Sequence, residues 1–279
     1  MAKIAVIGIC GNSTFMTVDH FHQNGETLKA DSIFSELGGK GINQAVAAKR
    51  FGAEVSFLGA AGCDCINSCE EFTKENGING FWVKKENENT ASAFILTDKN
   101  GENRVTVYRG AELCIDDVEI FEDEIKSSDV LLLQNEVPEE VNEKAIEIAN
   151  KNNVKVILNP APARKIKKEL CDKIYLVVPN EQEKEFIGDA VLENCITTLG
   201  SKGCLVNGEI IPAIKTNVVD TTGAGDTFCG VLAVCIAEGM DLKTSCVRAV
   251  TASGLSVSKE HVIDAIPTRE EVERRMKNE

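Results

Sequence analysis

The 279 residues are enough for one large or two smaller domains with a substantial buried core. A formal charge of −14, from 30 Lys and Arg against 44 Asp and Glu, excludes sequence-independent nucleic-acid binding and docking on anionic membranes, both of which need basic patches. Hydrophobic residues make up 43%, ordinary for a soluble globular chain, and the aromatic share of 5% predicts an aliphatic core.

Residues 3–9 predict a buried strand, a short apolar run closed by glycine and polar residues. This run is too short for a signal peptide, and none in the chain reaches membrane-span length. Gly11, Asn12 and Ser13 come just past the strand, where open α/β sheets bind ligands. Residues 26–37, with Thr27, Leu28, Ile33 and Phe34, predict a lid or edge strand. Gly38-Gly39-Lys40-Gly41-Ile42-Asn43-Gln44 then opens a helical pattern over 45–52. Lys40 and Asn43, three apart, can reach one ligand from a helix start. The plain alternative is a structural turn with a solvated lysine; the flanking glycine pairs favour close backbone approach. There is no G-x-x-x-x-G-K-[ST], which excludes a P-loop.

A strand over 54–60 and a helix over 65–76 follow. Cys63, Cys65 and Cys69 cluster there without the paired gaps or nearby histidine of a zinc site. The eleven cysteines, odd in number and scattered through apolar runs (Cys10, Cys195, Cys229, Cys235), read as buried free thiols of a reducing cytoplasm. Strands are predicted over 81–85, 90–97 and 104–109, the last two joined by the Asn100-Gly101 hairpin signal. A weak helix begins at 115–125. A βα rhythm follows: strand 130–133 ending in Gln134-Asn135-Glu136, helix 139–150, strand 154–158 ending in Asn159-Pro160-Ala161-Pro162, strand 174–178 ending in Pro179-Asn180-Glu181, and strand 195–199 ending in Gly200-Ser201-Lys202-Gly203. Strand after strand delivers Asn, Glu or Gly at its carboxyl end. Such alternation predicts a parallel sheet with right-handed crossovers.

The stretch 218–228 organises the rest: a short apolar strand end at Val218-Val219, then Asp220-Thr221-Thr222-Gly223-Ala224-Gly225-Asp226, then an apolar helix to about Ala237. Small residues at a helix start leave N–H groups free for an anion, and the helix dipole adds positive potential. Asp226, just inside this cradle, is placed to accept a proton from an attacking hydroxyl. Taken alone, the stretch divides evenly between a helix cap and a catalytic loop. A helix over 242–258 is expected to pack on the one after Asp226, and a charged helix over 270–277 ends the chain.

With these motifs in order, nearly the whole chain resembles the ribokinase family of PfkB-type carbohydrate kinases. Gly38 through Gln44 is similar to its first motif and Asp220 through Phe228 to its second; Asn159 through Arg164 and Pro179-Asn180-Glu181 also fit. The resemblance implies a ribokinase-like three-layer α/β/α domain over 1–279, with a mainly parallel central sheet and a small β-sheet lid from about 10–38 and 80–110. It implies an ATP-dependent sugar kinase acting on a pentose or related sugar, with Asp226 as general base and Gly223, Ala224 and Gly225 as the anion hole. Gly11, Ser13, Gly39, Lys40, Asn43 and Glu136 occupy sugar-contact positions, and Asn180, Thr198, Gly200 and Gly203 nucleotide positions. Glu183 joins a Mg²⁺–phosphate network, and Asp220, Thr222, Ser256 and His261 a monovalent-cation (K⁺) loop. A cytoplasmic homodimer formed through the lid is implied, on the apolar residues Phe34, Phe94 and Ile95.

Three departures bear on this. Gly11 and Ser13 stand where ribokinases carry an Asn and an Asp that grip ribose hydroxyls, so a nucleoside or phosphosugar kinase is the alternative within the family. His261 and Val262 stand where a Gly-Ala pair is usual, which bears on potassium activation. The segment between Gly188 and Cys195 is short. A degenerate ligand-binding regulatory protein is the reading from another class, and intact Asp226, Gly225 and Lys40 oppose it.

Overall fold

In the computed structural model, which describes residues 1–188 and 194–278, the run Ile4-Ala5-Val6-Ile7 is wholly buried. The two-residue period of a strand divides it: Ile4 and Val6 enter one core, Ala5 and Ile7 a second on the other face. This is β1 (Lys3–Ile7). It is followed by β2 (Gly11–Val18), β3 (Ser32–Gly38), α1 (Lys40–Arg50), β4 (Glu54–Gly62), α2 (Ile66–Glu75), β5 (Asn79–Lys85), β6 (Ser92–Asp98) and β7 (Asn103–Tyr108). A 3-10 turn at Ile115–Phe121 leads into α3 (Glu122–Ser127), β8 (Val130–Gln134), α4 (Glu139–Lys151), β9 (Lys155–Asn159), α5 (Lys168–Cys171), β10 (Leu176–Val177) and α6 (Glu181–Ile187). β11 (Ile196–Thr198), β12 (Cys204–Val206) and β13 (Glu209–Ile211) precede α7 (Ala224–Ala237), α8 (Leu242–Ser256) and α9 (Arg269–Lys277).

Six strands form the central sheet in the order β10-β9-β8-β1-β4-β5, and every pairing is parallel. Helices cover both faces, α1, α7 and α8 over one core and α3 and α4 over the other. Strands covered on both sides need no polar face, which is why β8 reads as an unbroken apolar run. α1 and α7 touch backbone to side chain at Gly230, where an added Cβ would lie 2.5 Å from the Gln44 carbonyl oxygen and 2.6 Å from Ala47 Cβ.

A separate four-stranded sheet, β3-β2-β6-β7, projects from the body. Residues 11–13, read from the sequence as a polar segment past the first strand, are the start of its strand β2. Residues 80–85, assigned above to the lid, lie in β5 at the edge of the central sheet. Register puts Phe34, Phe15, Ile95 and Val105 on one face of the small sheet. Phe94, grouped above with Phe34 and Ile95, points to the opposite face.

Val218 and Val219 are not a strand end: both lie in an irregular segment and are more than half exposed. The short antiparallel sheet β11-β12-β13 was not anticipated, because its last two strands have only three residues each and too little pattern to register. The shortening noted between Gly188 and Cys195 falls on 189–193, outside the described residues. Among the described residues no helix is long and apolar enough to cross a membrane.

Candidate active site

The chain winds from β1 outward through β4 and β5, then returns to build β8, β9 and β10 on the other side. The reversal leaves a crevice at the carboxyl ends of β1 and β8, where ligands settle in such sheets. A cavity of about 360 Å³ opens there beneath the small sheet, its wall including Gly11, Ser13, Gly39, Glu136, Arg109 and Arg164.

Asp226 lies behind this wall, 7% exposed, in the first turn of α7. Both of its oxygens are held by neutral amides from α1. Asn43 Nδ2 donates to Oδ2 at 3.0 Å, and Gln44 Nε2 donates to Oδ1 at 3.0 Å. Gln44 is completely buried and was not singled out from the sequence; its signal was a polar side chain next to Asn43 at the head of an alanine-rich buried helix. Gln134 Nε2 donates to Gln44 Oε1 at 2.8 Å, which fixes which way the Gln44 amide faces. Asn43 Oδ1 accepts nothing among the described residues. It lies 3.8 Å from where a side chain at Gly38 would begin, and Ser13 Oγ lies 3.1 Å from that same point. A buried acceptor left open beside a cavity is a place for a ligand hydroxyl.

Gly223 caps α7 in the left-handed conformation, with φ 73°. Thr227 N–H closes on its carbonyl at 2.9 Å. The N–H groups of Gly223 and Gly225 carry no partner among the described residues, and space beside Gly225 is open. Ala224 differs: its N–H donates to the Thr221 carbonyl, though at a long 3.3 Å. Two free amides and one weakly engaged amide thus stand at the positive end of α7.

Lys40 begins α1, and its backbone N–H donates to Glu136 Oε2 at 2.7 Å. Burial pulls the Lys40 ammonium down, but the carboxylates of Asp226, Glu136 and Glu183 outweigh it and hold the group above its ordinary value. Glu136 responds the other way. Burial, reinforced by the charge of Asp226, pushes its carboxyl up to about 7 against the pull of Lys40. Glu136, at the cavity wall, therefore keeps its proton longer than an exposed glutamate does.

Asn180 caps α6 in a reciprocal pair with Glu183, accepting from its N–H at 2.7 Å and donating its own N–H to Glu183 Oε2 at 2.9 Å. Asn180 also pairs with Thr198, so both stand at neighbouring strand tips. Gly200 and Gly203 shape the turn beyond. The Gly203 N–H is taken by the Gly200 carbonyl at 3.0 Å, and a side chain at Gly203 would collide with the Ile211 carbonyl. Asp220 Oδ1 accepts both the N–H and the hydroxyl of Thr222, at 2.9 and 2.7 Å. Ser256 Oγ donates to the Ser253 carbonyl at 2.9 Å, and the His261 ring stacks on Phe34. Cys65 and Cys69 are buried, while Cys63 is exposed.

A buried, amide-held carboxylate beside free helix-start N–H groups, at the switch point of a parallel sheet, defines an α/β phosphotransferase with an alcohol acceptor. Residues 1–269 match the pfkB family carbohydrate kinase pattern. The chain is 37% identical over 294 residues to the ribokinase of Lactococcus lactis, covering 99% of this chain and 98% of that one. Among solved structures it is similar to the ribokinase of Thermotoga maritima, with a TM-score of 0.87 and 34% identity over the full length of both. It is also similar to the Arabidopsis thaliana ribokinase complexed with ribose and ATP, with a TM-score of 0.85 and 28% identity over 99% of each chain. This chain belongs to the pfkB family of carbohydrate kinases, enzymes that phosphorylate a sugar hydroxyl.

Because the folded chain retains a proton on Glu136 that the unfolded chain has already released, the stability this contributes is full below the ordinary carboxylate range and is lost as pH rises to about 7. Wild-type melting temperature should therefore fall relative to Glu136→Gln as pH is raised from about 5 to about 8. Parallel melting profiles for the two proteins would contradict the assignment.

Proposed function

We propose that this enzyme transfers the γ-phosphoryl group of ATP to a hydroxyl of a pentose or related furanose, with Asp226 as the general base. The observation that supports it most is the setting of Asp226, whose two oxygens are oriented by neutral amides while, among the described residues, no cation bonds to it. Such a carboxylate stays a base. It accepts the acceptor's proton as the new O–P bond forms and the bond to the ADP oxygen breaks. The free N–H groups of Gly223 and Gly225, with Ala224 beside them, offset the charge developing on the transferred group. Lys40, raised by its carboxylate neighbours, stays charged for the same purpose.

Gly11, Ser13, Gly39, Asn43 and Glu136 are read as the acceptor side of the cavity, and Asn180, Thr198, Gly200 and Gly203 as the nucleotide side. Magnesium fits as a companion of the nucleotide. Among the described residues no cluster of three or more ligating side chains stands ready for a metal, so phosphate oxygens would supply most ligands and Glu183 the nearby carboxylate. When bound, the ion neutralises phosphate charge. Asp220, Thr222, Ser256 and His261 are read as the loop of a monovalent cation, in which Asp220 Oδ1 already orders Thr222. The eleven free thiols suit a cytoplasmic setting.

One observation favours a second acceptor class. Ser13 offers a hydroxyl where ribokinases place a carboxylate, and Arg109 and Arg164 stand at the cavity wall, Arg164 bonded among the described residues to the neutral Asn135 side chain and Val137 carbonyl. A sugar bearing a phosphate would use that charge.

The small sheet is read as a dimer face, since beyond the Phe34–His261 contact Phe15, Ile95 and Val105 make one apolar surface on which Val105 is 58% exposed. Light scattering should give the mass of two chains for the wild type and of one for Val105→Lys; a monomeric wild type refutes this face.

For the reaction, ADP release is measured with ATP, Mg²⁺ and a panel of pentoses, hexoses, sugar phosphates and nucleosides. Turnover is expected with at least one pentose or phosphopentose, and silence across the panel overturns the reading. Asp226→Asn should lose about a hundredfold to ten-thousandfold in kcat while still binding ATP in calorimetry. Equal rates would remove Asp226 as the base.

A further inference from the structure

The small sheet touches the far end of the chain at two places. Phe34 on β3 stacks on His261, with ring centroids 3.8 Å apart and planes at 24°. Two residues on, Glu36 Oε1 accepts the Val262 N–H at 3.2 Å. Both contacts come from one face of β3, the face that also carries Ser13 and Phe15 across the ladder. Val262 in turn reaches the cap of α7. A Cβ built on Gly223 would lie 2.4 Å from Val262 Cγ1, so the valine methyl fills the space that a side chain at Gly223 would need. Gly223 is thus pressed by a residue whose backbone is held by the lid.

A glycine at 261 would bring no ring to Phe34, and an alanine at 262 no Cγ1 to Gly223. His261 also takes φ 67°, a left-handed conformation that glycine adopts freely and a residue with a Cβ does not. A histidine kept there at a conformational cost is offset by its stacking on the lid. Glu36 is half-buried, and burial pushes its carboxyl up while the Val262 and Ile263 N–H groups and His261 pull it down and Asp264 pushes it up.

We propose that Glu36 is a positioning residue that clamps the lid to the 261–262 loop and, through the Val262 side chain, holds Gly223 in its cap conformation. Lid placement and the geometry of the helix-start amides are then set together. A lid seated over the acceptor has the amides in position, and a lid that lifts releases the loop and loosens the cap. The proposal rests on reading Gly223 to Gly225 as the phosphoryl cradle, but the contacts it invokes exist without turnover.

Hydrogen–deuterium exchange of the full chain tests it, comparing the wild type with Glu36→Ala, Glu36→Gln and Val262→Ala on peptides covering 30–38, 221–230 and, as a control, 139–151. Glu36→Ala should raise exchange about threefold or more in 30–38 and in 221–230 and leave the control unchanged. Glu36→Gln keeps an acceptor oxygen and should restore the wild-type pattern. Val262→Ala should loosen 221–230 alone, and it carries the test should Glu36→Ala not fold. Unchanged exchange at 221–230 in both alanine variants, or a glutamine variant as loose as the alanine one, overturns the proposal. This readout needs no acceptor, so its failure is distinct from a failure of the kinase reading. With an acceptor in hand, Glu36→Ala should lower kcat about tenfold at unchanged KM for ATP, with rescue by glutamine; an unchanged kcat also overturns it.

Discussion

A carboxylate that is to act as a base at the mouth of a helix must be buried, aimed and left ionised. Here two side-chain amides aim it, and among the described residues no cation is in bonding contact with it. Asn43 and Gln44 each donate to one oxygen of Asp226, and everything behind them serves to keep those amides facing the right way. Gln134 donates to Gln44 Oε1, Gln44 Nε2 also reaches Asn159 Oδ1 at 3.2 Å, Asn159 Nδ2 donates to the Val178 carbonyl, and Asn142 Nδ2 donates to the Gln134 carbonyl. The tips of β8, β9 and β10 and the starts of α1 and α7 are joined by this chain of neutral hydrogen bonds. In a low-dielectric interior such a network is rigid when satisfied and costly when broken.

Backbone proximity makes the network fit. An added Cβ at Gly8 would lie 2.7 Å from Gly41 Cα and 2.6 Å from Gln134 Oε1, so β1, α1 and β8 converge where only glycines allow it. Gly230 does the same between α7 and α1. The glycines of the first motif let α1 approach the sheet closely enough for Gln44 to reach Asp226. The lid adds a second constraint from the other side, through Glu36, Val262 and Gly223.

Much of this was legible in the residues. The βα rhythm gave the parallel sheet because doubly covered strands are apolar throughout, and β8 is the clearest case. The two glycine-rich helix starts marked α1 and α7, with Asp226 in the first turn of α7. What stayed hidden were features set by tertiary contact. Val218-Val219 has strand composition but no neighbour to pair with, so it is loop. β12 and β13 are too short to show a period. Glu36 looked like an ordinary lid residue, because its partner lies 226 positions away in sequence. The face assignment of Phe94 failed because adjacent strand residues point to opposite sides, so Phe94 and Ile95 cannot share one.

The most direct measurement of the central claim is a crystal structure with ADP, a metal fluoride and an acceptor sugar bound together. The account predicts an Asp226 carboxylate oxygen within hydrogen-bonding distance, about 2.6–3.2 Å, of the acceptor oxygen, with the Gly223 and Gly225 N–H groups directed at the fluoride. An acceptor oxygen seated away from Asp226, or a fluoride that those two N–H groups do not face, would contradict it.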